Sequence, residues 1–126
     1  MVPQDKFDTA RARAAVNAGY PAVKPILPHL LEWLQDISWP VAQILYPFLA
    51  SIGTPLVPYI QHVLETDDEI WKYWVITIVI SESPEVSAHF RETLKRIADS
   101  PTEGEAEEGL NQAAQEVLEK YGWAYL

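Results

Sequence analysis

The sequence predicts an all-α protein: a short right-handed α-solenoid of HEAT/armadillo-like helical hairpins behind a leading helix. Three observations predict it. Ten prolines punctuate the chain, apolar residues between them recur at helical spacing, and the chain matches itself at an offset of 30 residues. Proline suits the first turn of a helix, where its missing N–H would have had no partner, so most prolines here mark helix starts. A length of 126 residues suits a single domain, spanning residues 1–126, and is too short for two separate cores.

Taken in order, the elements are a leading helix near 5–17 and six main helices near 21–35, 39–51, 55–65, 67–81, 84–99 and 103–121. They pair into hairpins at about 21–52, 55–81 and 84–121. Ser83-Pro84 and Thr54-Pro55 each read as an N-cap followed by a first-turn proline. Thr66 to Glu69 and Thr102 to Glu105 have capping-box spacing, a hydroxyl and a carboxylate three residues apart. The stretch from Ile70 to Ile80 is apolar almost all round, as a helix packed between neighbours requires. The fifth main helix sets Val86, Phe90, Leu94 and Ile97 on one face. The sixth does the same with Ala106, Leu110, Ala114, Val117 and Tyr121. Pro47 fits no helix start and is expected either to kink the helix near 39–51 or to split it.

The repeat carries the solenoid reading. Pro25-x-x-Pro28-x-Leu30 and Trp33-Leu34 align with Pro55-x-x-Pro58-x-Ile60 and Val63-Leu64 at an offset of 30. Trp39, Ile44 and Phe48 then fall on Trp71, Ile76 and Ile80 at an offset of 32. Helix pairs at such a period stack to bury a shared core. An irregular α-bundle is the competing architecture.

The runs Leu30-Leu31-Glu32-Trp33-Leu34-Gln35-Asp36, Trp39-Pro40-Val41-Ala42, Asp67-Asp68-Glu69-Ile70-Trp71-Lys72-Tyr73-Trp74 and Pro101-Thr102-Glu103-Gly104-Glu105, with the opening Pro3-Gln4-Asp5-Lys6-Phe7-Asp8, resemble a small bacterial HEAT-like family of single-domain proteins of unknown function. The resemblance covers almost the whole chain. It implies a helical-repeat fold and a bacterial cytosolic protein, and it carries no catalytic or binding residues over. Gly109-Leu110 departs from the family pattern, which puts the start of the last helix in question.

Composition narrows the function. Eighteen acids against nine Lys and Arg give a net charge of −9, which repels phosphate backbones and anionic lipids, so neither nucleic acid nor a membrane surface is an expected partner. The chain has no Cys, which excludes disulfides, thiol nucleophiles and thiolate metal sites and leaves the cytoplasm as the expected compartment. Residues 1–7 lack the apolar core of a targeting segment. Residues 37–64 carry no Asp, Glu, Lys or Arg, long enough for a bilayer crossing, but four prolines and Gly53 break the stretch into a buried hairpin.

Candidate chemistry is sparse. His29, His62 and His89 fall in separate helices without ligand spacing, so neither a metal nor another cofactor is expected. Asp67-Asp68-Glu69 would suit Mg²⁺ or acid–base work, but three acids in a first turn are also what a helix dipole and a capping box favour. Serines cluster at helix ends, where hydroxyls cap, and there is no nucleophile elbow or phosphate loop. The expected function is not enzymatic. It is protein binding by a monomer through the groove of the second helices, with Trp39, Gln43, Tyr46, Asp68, Lys72 and Tyr73 as contact residues. Core packing is the competing role for the tryptophans, and Lys72 and Tyr73 are expected to point outward. The acidity suits a basic partner, for which an immunity protein neutralising a toxin is an analogy of fold and context. The alternative is a small-ligand protein or enzyme with an aromatic and carboxylate pocket built from Trp39, Trp71 and Asp68.

Overall fold

The computed structural model describes residues 1–124. Within them every regular element is helical. The α-helices are α1 (Thr9–Ala18), α2 (Leu27–Glu32), α3 (Pro40–Ile52), α4 (Val57–Leu64), α5 (Glu69–Ile78), α6 (Pro84–His89), α7 (Arg91–Asp99), α8 (Glu103–Glu107) and α9 (Leu110–Lys120). Four 3₁₀ turns, Lys24–Ile26, Trp33–Gln35, Thr54–Leu56 and Ile80–Glu82, extend α2, α4 and α5.

Local chemistry sets most boundaries. The Asp8 carboxylate accepts from the Arg11 N–H and caps α1, Ser83 caps α6 through the Val86 N–H, and Thr102 and Glu105 close a full capping box on α8. Two caps differ from expectation. α5 is capped by Asp68, which accepts from the Trp71 N–H, while the Thr66 hydroxyl is turned back to donate to the Val63 carbonyl at 2.7 Å. Thr54 caps nothing: it lies inside a 3₁₀ turn that starts after Gly53, whose φ of +81° reverses the chain. The first main helix begins at Lys24 rather than at residue 21, since residues 20–23 turn.

Prolines at equivalent repeat positions produce equivalent backbones. Lys24–Ile26 is a 3₁₀ turn leading into α2 at Leu27, and Thr54–Leu56 is a 3₁₀ turn leading into α4 at Val57, the same structure 30 residues on. Pro47 splits nothing, since α3 runs unbroken through it. With its ring on the exposed side, the proline leaves only the solvent-side ladder incomplete. α3 and the segment Thr54–Leu64 meet at 110°, and no single helix among the described residues is long and apolar enough to cross a membrane.

Two predicted long helices are broken. Phe90 ends α6 so that its fully buried ring can enter the core, and α7 restarts at Arg91. The helix expected over 103–121 breaks at Gly109, which adopts φ +76° as the N-cap of α9. Gly109→Ala will therefore cost about 1 kcal/mol in denaturant unfolding, because the strain is in the backbone: an added Cβ would meet Tyr73 Cε2 at an ordinary 3.8 Å. Gly109→Asn will cost less, since Asn tolerates the left-handed region.

The core is one apolar cluster running from Ala12 to Leu118. α1 packs on α3, α3 on α5, α5 on α9 and α9 on α7, while α2 meets α4 and α4 meets α5. Ala106, placed on the core face by spacing, is exposed because α8 ends and turns one residue later. Ile70 is likewise 49% exposed, since α5 has no neighbour over its first turn on that side.

Candidate groove along the second helices

Between successive helices of the row α1, α3, α5, α9 lie open depressions. One of 440 Å³ sits between α1 and α3 and is lined by Arg13, Val16, Asn17, Gln43 and Ile44. The next, 490 Å³ between α3 and α5, is lined by Tyr46, Pro47, Ala50, Ile78 and Glu82. Between α5 and α9 a depression of 160 Å³ includes Thr77, Glu116 and Lys120, and one of 360 Å³ includes Tyr73, Glu107, Glu108, Gln112 and Glu116. Glu116 borders both of these. The charged residues that line them are Arg13 at the α1 end, Glu82 between α3 and α5, and Glu107, Glu108, Glu116 and Lys120 at the α9 end.

Of the six residues singled out by sequence, the structure places Gln43, Tyr46 and Tyr73 in these depressions, spread over three of them. The other three are held elsewhere. Trp39 is half-buried and meets Trp33 edge-on at 5.7 Å. Asp68 is occupied as the cap of α5. Lys72, expected to point outward, is buried: its side chain is 8% exposed and its Nζ lies 2.9 Å from Glu69 Oε1. The correction has a physical cause in the neighbouring carboxylates, which supply the counter-charge a buried ammonium needs.

That counter-charge belongs to a cluster of four. Arg96 on α7 donates twice to Glu105 on α8, at 2.5 and 2.8 Å, and Glu105 Oε1 also accepts from the Thr102 N–H at 2.8 Å. The Arg96 guanidinium, reinforced by the Thr102 N–H and the Lys72 charge, lowers the Glu105 carboxyl to about 2. Glu105 in turn raises the Arg96 pKa. Sequence spacing shows the Glu69–Lys72 pair, an i,i+3 neighbour on a helix, but nothing in it announces that Arg96 meets a carboxylate nine residues later. At the surface, the Ser38 hydroxyl and N–H lower the Asp36 carboxyl, and Arg11 lowers that of Asp8.

The serines and histidines have local jobs. Ser87, fully buried, donates to the Ile80 carbonyl at 2.5 Å, and Ser81 Oγ bonds the Thr77 carbonyl. The Ser81 carbonyl accepts from Lys120 Nζ at 2.7 Å and Tyr121 Oη at 2.5 Å, tying the end of α9 to the end of α5. All three histidines are exposed, and among the described residues no three His, Asp or Glu gather as a metal site would need. Among the described residues, Trp71 lines a cavity between α2 and α4 to which neither Trp39 nor Asp68 contributes.

The fold thus defines an all-helical protein with separate surface depressions between α1, α3, α5 and α9. The chain belongs to a family described as Domain of unknown function (DUF5071), whose model matches residues 1–118. No curated protein matches it.

Proposed function

We propose that this protein is a HEAT/armadillo-like α-solenoid, cytoplasmic and monomeric, that binds a basic protein partner along its second helices. The observation that carries this reading is the row of depressions between α1, α3, α5 and α9, ending in Glu107, Glu108 and Glu116. A solenoid reading is supported by the packing of α1, α3, α5 and α9 on one another in order and by the 3₁₀-to-helix entries 30 residues apart. A rigid row of helices recognises a partner by shape, and its charge sets the orientation of approach. Residues 99–126 hold seven acids and one base, a net of −6, while residues 1–24 hold two acids and four bases, a net of +2. A basic partner docks at the α9 end. An immunity protein that neutralises a basic toxin fits this mode by analogy of architecture.

The test compares proteins co-purified from the source cells by the wild type, by Glu107→Lys/Glu108→Lys/Glu116→Lys, and by the control Glu65→Lys/Glu85→Lys/Glu92→Lys. The control reverses the same number of exposed acids outside the groove. The partner is expected to be lost at least about tenfold with the groove variant, retained by the control, and released by moderate salt. Tyr73→Ala is expected to weaken it as well. Equal recovery by the two charge-reversed variants would sink the proposal.

A further inference from the structure

The row of depressions does not account for a further cavity, built mainly by α2 and α4. It occupies 400 Å³ between α2 and α4, with Leu31, Glu32 and Gln35 on one side, Tyr59 and His62 on the other, and Trp71 among its walls. That volume falls in the range of small-molecule sites, and its lining is mostly apolar with a few polar groups, as in such sites. We propose that this cavity binds a small organic cation with an aromatic or aliphatic body.

The lining sets the sign of the ligand's charge. Glu32 supplies the one carboxylate, and no Lys or Arg borders the cavity. Its nearest ion-pair partner is His29 Nδ1, 3.9 Å away on the same helix and itself exposed, which leaves the carboxylate free to accept from a ligand. The indole N–H of Trp71 is already committed to the Leu31 carbonyl at 2.9 Å, so this mostly buried ring contributes carbon surface to the wall and no donor. An indole and a phenol attract a cation through their ring quadrupoles while their carbon frames cover its apolar body. Gln35 and Tyr59 add hydrogen-bonding groups for orientation. The two helices that form most of the site, α2 and α4, both follow a proline-containing 3₁₀ turn.

Isothermal titration of the full chain at pH 7.5 with benzylamine, benzyl alcohol and benzoate, three probes of similar size and opposite or no charge, tests the assignment. Benzylamine is expected to bind about five- to tenfold more tightly than benzyl alcohol, with benzoate weakest. Glu32→Gln, at an exposed position that leaves the core intact, is expected to erase the preference for the cation. His62→Trp, which fills the cavity mouth, is expected to weaken all three probes. Absence of binding by any probe, equal binding of the three, or a cation preference that survives Glu32→Gln overturns the proposal. So does a short Lys peptide that outcompetes benzylamine, since the cation would then be a partner's side chain. The groove variant with reversed Glu107, Glu108 and Glu116, none of which lines this cavity, is expected to bind benzylamine like the wild type, so the two proposals fail or stand separately.

Discussion

Trp71→Ala will remove about 4 kcal/mol of folding stability, read as a fall in the urea midpoint at unchanged slope. The indole is 7% exposed, so its loss forfeits most of a large apolar burial and leaves a cavity that the flanking helices close only in part. It also removes a hydrogen bond to the Leu31 carbonyl, which Trp71 Nε1 reaches across 40 residues of chain to tie α5 to α2. Trp71→Phe separates the two contributions: it keeps most of the ring and loses the N–H, at about 1–2 kcal/mol. Trp39, 32 residues earlier and equivalent by repeat, is only half-buried and rests edge-on against Trp33. Trp39→Ala is expected to cost less than half as much as Trp71→Ala. Equal costs for the two would show that position in the repeat, rather than burial in this fold, decides the energetics.

Glu105→Gln will cost about 2–3 kcal/mol and will flatten the acid limb of stability against pH. Its carboxylate accepts both Arg96 nitrogens and the Thr102 N–H from a position only 4% exposed. The amide offers one acceptor oxygen where there were two, and it presents N–H groups to a guanidinium that has none to accept. Arg96 is half exposed and regains water, which holds the loss below that of a fully buried ion pair. The sign of the pH effect follows from the direction of the shift. The Glu105 carboxyl titrates at about 2 in the folded chain against an ordinary 4.5. Its contribution is therefore complete above about pH 4.5 and is lost as the pH falls towards 2, where both states bind the proton. In urea titrations at pH 7, 4 and 3, the wild type is expected to lose stability across that window faster than Glu105→Gln. Parallel losses would mean that the carboxylate is not the group responsible.

How much of this was legible beforehand can be seen at individual residues. Ser83 and the Thr102–Glu105 box signal their helix starts because capping is local, a matter of residues two or three apart, whereas the leading helix, expected from near residue 5, starts at Thr9 behind the Asp8 cap. Phe90 and Gly109 break helices that periodicity joins, since a 3.6-residue pattern continues smoothly across a one- or two-residue turn. Gln43, Tyr46 and Tyr73 line depressions on the helices where their spacing puts them, whereas nothing in the spacing of Glu107, Glu108 and Glu116 brings these three to one depression. Glu32, Tyr59 and His62 meet at a cavity without any shared motif, because a site between two helices has no signature in either one.

By itself, then, the sequence determined that this protein is helical, where most helices begin, which faces are apolar and at which end the negative charge accumulates. Each of these depends on neighbours within a turn or on plain composition. Tertiary structure decided the fate of the charged and aromatic residues inside those helices: Lys72 turned inward, Trp71 bonded to a carbonyl 40 residues away, and Arg96 clasped Glu105 from another helix. The reason is that desolvation and ion pairing depend on what packs opposite a side chain, and that partner is chosen by how the helices stack.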